Sequence, residues 1–293
     1  MKRFEKMINL SGISKDVTAD WLETIAAVAA GKPISRSMAL ELGSTHFGLN
    51  ESEVVDAFLL SVSRKQKLGS IYPFDCSETF IVSSSEGKSS PYEQFLYLSP
   101  WSPARVLDAW SLEAGAKTFE YLAEACLVEF FGPGTASVNF GHPSDIGRPS
   151  EFDEAVKWLA KKANIKIGSA FRPPRRKDGG VDIFVWKTFS DGKPGSPLLM
   201  VQCTIAKDYI NKIGDIDLAL WSNWLSSDIN PLAALAVPFY ISSSFDWDEI
   251  STRGILLDRG RLLEMIGDRS VALPGPLESF IKRLKDELRT LVA

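Results

Sequence analysis

The sequence predicts a mixed α/β chain in two parts, a mainly helical region over residues 1–100 and an α/β domain over residues 101–293. Three observations support this prediction. The length of 293 residues suits about two domains of ~150 residues each, or one domain with a long N-terminal extension. Hydrophobic residues make up 45% and charged residues 24%, as is typical of globular domains. After the Pro-Trp-Ser-Pro stretch at 100–103, helical patterns alternate with short apolar runs, which indicates helices around a sheet.

The cysteine and hydropathy patterns exclude several classes of protein. The cysteines, Cys76, Cys126 and Cys203, form no C-x-x-C pair, so neither a disulfide framework nor a thiolate zinc site is expected. The N-terminus has no apolar signal-peptide core, and the apolar run at 231–241 is far shorter than the ~20 residues that span a bilayer. We therefore expect a soluble, cytoplasmic protein with no membrane partner. The formal charge of −4 excludes a uniformly basic surface but not a local basic groove.

The elements predicted for the first part are three helices and a hairpin. Apolar spacing predicts helices over 20–30, 37–42 and 50–67, the last with Asn50 as its N-cap. Two strand-like runs, 79–83 and 94–98, flank a Ser/Gly-rich turn and predict a hairpin. Two interpretations remain open, a helical packing region and a winged-helix-like unit.

The elements predicted for the second part alternate between helix and strand. A long helical pattern covers 104–131, where Gly115 is a candidate break, and a helix capped by Ser150 follows over 150–162. The run 197–204 is almost wholly apolar, as expected of a strand at the buried centre of a mixed sheet. The remaining predictions are strands over 179–186, 233–242 and 255–257, and closing helices over 261–266 and 276–291.

Three polar residues interrupt these apolar elements. Glu120 lies within the long helical pattern, Asp182 begins a strand after Gly-Gly, and Gln202 interrupts the next strand. Polar side chains in buried strands are costly without partners, and oxygen ligands from neighbouring elements can share one magnesium or manganese ion. Such an ion can activate water against a phosphodiester. The alternatives are an exposed helix position for Glu120, a turn cap for Asp182 and a side-chain hydrogen-bond partner for Gln202.

Four pieces of sequence carry a resemblance to a known family. They are Gly-Ala-Lys-Thr-Phe-Glu at 115–120, Asp-Gly-Gly-Val-Asp at 178–182, Val-Gln-Cys at 201–203 and Arg-Gly-Ile-Leu-Leu-Asp-Arg-Gly-Arg-Leu-Leu at 253–263. In this order and spacing, the chain from 115 to 266, about half of its length, resembles the PD-(D/E)XK nuclease superfamily, and within it the Mrr-type restriction endonuclease branch.

The resemblance implies a fold and an activity. The fold is a restriction-endonuclease-like mixed sheet flanked by helices, and the activity is magnesium- or manganese-dependent hydrolysis of phosphodiester bonds, most often in DNA. The implied metal ligands are Asp182, Gln202 and the backbone carbonyl of Cys203, with Glu120 binding the metal or its water. For Asp178 the residues themselves favour a role in the turn over a role at the metal. Nucleases of this kind often act as dimers or with a partner subunit, and often serve bacterial defence against foreign DNA or phage.

The sequence departs from the family pattern at the lysine. The family places a lysine two residues after Gln202, where this chain has Thr204, a residue that could touch a phosphate or simply pack. Lys207 and Lys212 are the first candidates to orient the attacking water or stabilise phosphate charge, and Lys187 is a weaker one. A second hypothesis therefore stands beside the nuclease: a catalytically inactive nuclease-fold subunit that binds nucleic acid or a protein partner.

A basic run leads into the second motif. Arg172, Arg175, Arg176 and Lys177 precede Asp178 directly and could grip phosphates beside the cut, or form a solvated loop. Trp221 and Trp224 lie at helical spacing, which suits core packing better than stacking on bases. The two histidines, His46 and His142, have no catalytic partner at a recognisable spacing.

Overall fold

The structure is a computed structural model that describes residues 9–29, 31–85, 89–141, 144, 146–169, 178–191, 193, 195–227 and 229–292. The prediction of a mixed α/β chain is confirmed, with a mixed five-stranded sheet and helices along the chain. By its internal contacts the chain forms two units. The first comprises 1–118, 238–242 and 267–293, and the second comprises 119–237 and 243–266. The division of the sequence into 1–100 and 101–293 stays a prediction.

The first unit combines helices with a small antiparallel sheet in the strand order β1-β3-β2. Its helix α3 begins after Asn50, which forms the capping box with Glu53. The elements are α1 (Lys15–Val28), β1 (Ile34–Ser35), α2 (Arg36–His46), α3 (Glu51–Leu68), β2 (Phe74–Cys76), β3 (Phe80–Ser83), α4 (Pro91–Leu98) and the closing helix α10 (Gly275–Val292).

The strand predicted over 94–98 is wrong, because these residues form the end of helix α4. Ser90 caps this helix, Pro91 occupies its first turn and Glu93 completes a capping box. These start signals set the conformation of a short apolar run that has no decisive periodicity of its own. The hairpin is made instead by β2 and β3, whose strands pair antiparallel.

The second unit is built on the five-stranded sheet, in the order β10-β9-β7-β6-β4. Strands β4, β6 and β7 pair antiparallel in succession, and β7, β9 and β10 are parallel. The elements are α5 (Leu112–Phe131, which begins in the first unit), β4 (Thr135–Asn139), α6 (Phe152–Ala163), β5 (Lys166–Ile167), β6 (Ile183–Lys187), β7 (Leu198–Cys203), α7 (Leu218–Trp224), β8 (Leu225–Ser226), β9 (Leu232–Ala236), α8 (Ser244–Ser251), β10 (Ile255–Leu257) and α9 (Arg259–Ile266).

Several local predictions for this part are wrong, and three strands, β4, β5 and β8, were not predicted. Helix α5 continues through Gly115, since a single glycine costs a helix only ~1 kcal/mol. Helix α6 takes Glu151 rather than Ser150 as its N-cap, with no side-chain cap bond. Strand β4 follows the Gly-Pro-Gly stop at 132–134.

Trp221 lies in the core of the second unit. Its ring packs edge-on against Phe140, Phe184 and Trp224, and its indole Nε1 donates to the carbonyl of Gly179 at 3.1 Å. The predicted core role of the tryptophan pair is therefore confirmed. Among the described residues no helix is long and apolar enough to cross a membrane.

Candidate active site

The sheet register brings the second and third motifs together. Strand β6 begins where its antiparallel neighbour β7 ends, with Ile183 opposite Val201, and the amide of Asp182 donates to the carbonyl of Val201 at 2.9 Å. The turn before β6 requires glycine at 180, where φ is +79° and an added Cβ would lie 2.0 Å from the carbonyl oxygen of Asp215. Asp182 therefore enters the sheet beside Gln202.

One carboxylate oxygen of Asp182 is held by two donors from β7. Its Oδ2 accepts a hydrogen bond from Gln202 Nε2 at 2.6 Å and from the Cys203 amide at 2.7 Å. The same Nε2 also lies 3.1 Å from the Cys203 carbonyl oxygen. Gln202 thus presents its amide nitrogen to Asp182, as a neutral donor that fixes the carboxylate.

The other side of Asp182 faces Glu120 and two residues that sequence reasoning missed. Glu120, on α5, accepts a hydrogen bond at its Oε2 from Asn139 Nδ2 at 3.1 Å. A Cβ added to Gly141 would lie 3.4 Å from Glu120 Oε2, 3.5 Å from Asn139 Oδ1 and 3.7 Å from Asp182 Oδ1. We call the space bounded by these three oxygens the Gly141 cradle. No motif marks Asn139 or Gly141, because both depend on the unpredicted strand β4.

The electrostatics of the site disfavour two bare carboxylates. Burial raises the pKa of Asp182 well above its usual range, and the negative charges of Glu120, Asp178 and Asp215 raise it further, against the effect of the Cys203 amide. Burial also raises the pKa of the Cys203 thiol, so this thiol is no ready nucleophile. A cation placed between Asp182 and Glu120 would relieve their repulsion.

The donor set limits how a metal could be held. Within the residues that the structure describes, no group of three or more His, Cys, Asp and Glu side chains could hold a metal ion. A cation between Asp182 and Glu120 would therefore need amide or backbone oxygens as further ligands. Such all-oxygen sites suit magnesium, manganese and calcium.

The predicted lysines lie in different surroundings. Lys207 is exposed in the bend after β7, whereas Lys212 lies 3.8 Å from Asp215, one of the carboxylates that act on Asp182. Lys187 donates to the backbone carbonyls of Phe131 at 2.6 Å and Pro133 at 2.5 Å, at the end of α5. Lys212 is therefore close to a carboxylate that acts on Asp182, whereas Lys187 holds the end of helix α5.

The remaining predicted residues divide between turns and undescribed positions. Asp178 Oδ1 accepts from the Gly180 amide at 2.8 Å, which is a turn role. Thr204 is buried, and its hydroxyl accepts from the Ala206 amide at 3.2 Å. The predicted phosphate-binding residues Arg172, Arg175, Arg176 and Lys177 lie outside the described residues, as does His142.

Arg148 is a cation near the site that the sequence did not single out. Its guanidinium lies 4.2 Å from the ring centroid of Phe140, and Nη1 donates to the carbonyl of Pro149 at 3.0 Å. Phe140 is itself tied to the site, since its amide donates to the carbonyl of Asp182 at 2.6 Å. Burial lowers the pKa of Arg148 and the charge of Asp178 opposes this shift, which places Arg148 within electrostatic range of the turn before Asp182.

Comparison with known proteins identifies no relative of this chain. No family model, no curated protein and no solved structure matches the chain.

Proposed function

We propose that this chain is a divalent-cation-dependent nuclease that hydrolyses phosphodiester bonds, with DNA as its substrate. The observation that carries the proposal is the approach of Glu120, from helix α5, and Asp182, from the bend before β6, to the single Gly141 cradle. A mixed sheet flanked by helices supports the restriction-endonuclease-like fold that the four motifs imply. The same resemblance suggests a cytoplasmic enzyme of bacterial defence, acting as a homodimer or with a partner subunit.

The residues present fit a magnesium or manganese ion. Asp182 and Glu120 would hold it, with the Gln202 side chain and the Cys203 carbonyl as the further ligands that the resemblance implies. When bound, the ion would activate water and neutralise charge on the phosphodiester. The chain contributes the orientation, because Gln202 and the Cys203 amide hold Oδ2 of Asp182 in place.

Lys212 is our choice for the missing family lysine. Its ammonium group approaches Asp215 at only 3.8 Å, a loose ion pair that a phosphate oxygen could replace. Lys207 is the alternative, and the variants Lys212→Gln and Lys207→Gln distinguish the two. We expect Lys212→Gln to slow cleavage about 100-fold and Lys207→Gln to leave it unchanged.

The proposal is tested by a cleavage assay on purified protein. Double-stranded DNA, single-stranded DNA and RNA are incubated with Mg²⁺ or Mn²⁺, and the wild type is compared with Asp182→Asn and Glu120→Gln. Both variants should lose roughly 100-fold or more, since even outer-shell partners of a metal site are worth about 10–100-fold. The matched control is Asp208→Asn, the same kind of substitution at an exposed position that follows Gln202 and Cys203 in the sequence. Equal cleavage by the wild type and Asp182→Asn would overturn the site.

A specific observation favours the inactive subunit as the second candidate. Thr204 stands where the family has lysine, and its buried hydroxyl accepts a bond within its own turn. This candidate predicts no cleavage by the wild type with any of the three substrates. It also predicts nucleic-acid or protein binding that is the same for the wild type and Asp182→Asn.

A further inference from the structure

We infer that the Gly141 cradle is the cation seat and that Asn139 supplies an oxygen ligand there, while Gln202 orients Asp182 rather than binding the metal. This inference rests on the proposed function, because it specifies how the cation of that function is held. It departs from the ligand set that the sequence motifs imply, in which Gln202 binds the metal.

The first step is the unequal use of the two Asp182 oxygens. Oδ2 already accepts two short hydrogen bonds, from Gln202 Nε2 and from the Cys203 amide. Oδ1 is the oxygen that faces Gly141. A cation approaching Asp182 therefore meets Oδ1, on the side of the cradle away from the Gln202 donor.

The second step is the orientation of the Asn139 amide. Amide nitrogen and oxygen positions follow from hydrogen bonding. Asn139 Nδ2 donates to Glu120 Oε2 at 3.1 Å, which is the orientation that an ionised Glu120 carboxylate accepts. The Asn139 oxygen is then the atom that faces the cradle, at 3.5 Å from the Cβ position of Gly141.

The third step is the absence of a side chain at 141. Gly141 is not among the glycines with left-handed backbone, so its backbone would accept alanine. Its amide donates to the Asp182 carbonyl at 3.1 Å, which fixes the wall of the cradle relative to the carboxylate. A methyl group here would come into van der Waals contact with all three oxygens and fill the space between them. The glycine thus places no side chain against two carboxylates and one amide oxygen, a hard-oxygen set that suits Mg²⁺ or Mn²⁺.

The test measures Mn²⁺ affinity of the purified full chain at neutral pH, by electron paramagnetic resonance of the free ion. Asn139→Ala and Gly141→Ala should each weaken binding about tenfold or more. The matched controls, Asn211→Ala at an exposed position and Gly275→Ala with nothing within 4 Å of the added Cβ, should bind as the wild type does. Circular dichroism of every variant checks that it folds. Asn139→Ala and Gly141→Ala change different residues of the cradle, so the inference can be tested with either one if the other does not fold.

A change at Gln202 separates the two ligand sets by the direction of its effect. If Gln202 orients Asp182, Gln202→Glu replaces a donor with a second negative charge against Oδ2 and should weaken Mn²⁺ binding. If Gln202 is a ligand, the same change should strengthen binding, because a carboxylate is the stronger ligand. Tighter binding by Gln202→Glu, or wild-type binding by folded Asn139→Ala and Gly141→Ala, overturns the inference and leaves the proposed nuclease standing. No Mn²⁺ binding by the wild type overturns the cation-dependent function itself.

Discussion

Replacing Arg64 with methionine tests whether a buried charge cluster holds the first unit together. Arg64 lies on α3 and is only 4% exposed. Its Nη1 donates to Asp20 at 2.8 Å and Glu23 at 2.9 Å, and its Nη2 donates to Asp16 at 2.9 Å. The three acids lie on α1, so one guanidinium joins α3 to three carboxylates of α1.

The surroundings of the cluster define what the substitution would leave behind. Glu23 is fully buried and also accepts hydrogen bonds from the hydroxyls of Tyr72 and Tyr92, each at 2.7 Å. The guanidinium of Arg64 lies 4.3 Å from the ring centroid of Tyr240. Methionine would replace the apolar stem of Arg64 but would remove the cation, so three buried carboxylates would face one another.

The expected loss is large because only one side of the cluster is removed. Breaking a buried ion pair in this way costs about 3–5 kcal/mol, since the remaining charge is left uncompensated. Three carboxylates share Arg64, and the losses of its hydrogen bonds are not additive. We therefore expect the free energy of unfolding to fall by about 4 kcal/mol. At roughly 2–4 °C per kcal/mol, the transition of the first unit should fall by about 8–16 °C.

The assay is urea and thermal unfolding followed by circular dichroism and tryptophan fluorescence. Lys15→Met is the matched control, because Lys15 also joins α1 to α3, by a 3.0 Å ion pair with Asp56, but is 72% exposed at its side chain. We expect this control to lose less than about 1 kcal/mol. Arg64→Lys keeps the positive charge but lacks the planar guanidinium group. Its loss in the free energy of unfolding should therefore lie between those of Arg64→Met and Lys15→Met. Equal stability of Arg64→Met and Lys15→Met would refute the reasoning.

Three further predictions concern the turn, the core and the pH response. Gly180→Ala should cost several kcal/mol in urea unfolding, because φ is +79° and the new Cβ meets the Asp215 carbonyl at 2.0 Å; Gly69→Ala, with φ +56° and open space, should cost about 1 kcal/mol. Trp221→Ala should lose about 3–5 kcal/mol by the same measurement, because the residue is fully buried in the core, and a small loss would contradict that role. Burial raises the pKa of Glu93 despite the opposing charge of Lys285. The stability that the Glu93 carboxyl contributes is therefore present at low pH and falls as pH rises through the raised pKa. Glu93→Gln, which keeps an N3 capping side chain, should therefore gain stability relative to the wild type as pH is raised in unfolding titrations, and a constant difference would contradict the assigned burial effect.

The elements predicted best were those with a hydrophobic pattern over many residues or a clear N-cap. Helix α3 follows from Asn50 and its first-turn acids, and β7 from an apolar run that Gln202 alone interrupts. The run at 94–98 was misassigned because five residues are too few to separate a strand from a helix, and the Ser90–Glu93 cap decided between them. Strand β4 mixes small, polar and apolar residues, and its pairing with β6 supplies the stability that its own pattern does not indicate.

The candidate site was predictable only as far as its motifs reach. Asp182 and Gln202 could be expected together because both interrupt apolar strands, and the antiparallel register does bring them within hydrogen-bonding distance. Asn139 and Gly141 carry no such mark. Their position follows from β4 pairing with β6, in which Asn139 lies opposite Ile183, next to Asp182. A residue whose role depends on a long-range register cannot be found from local spacing.

The arrangement of charge around the site argues for an external cation at its centre. The outer carboxylates have protein cations nearby, since Asp215 lies 3.8 Å from Lys212 and Asp178 acts on Arg148. The inner carboxylates of Asp182 and Glu120 receive amide donors from Gln202 and Asn139, which hold their oxygens but bring no positive charge. Neutral donors orient a carboxylate without neutralising it, and burial and the charge of Glu120 both raise the pKa of Asp182. A divalent ion in the cradle would stabilise the ionised form of Asp182, beside oxygens that the fold has already fixed.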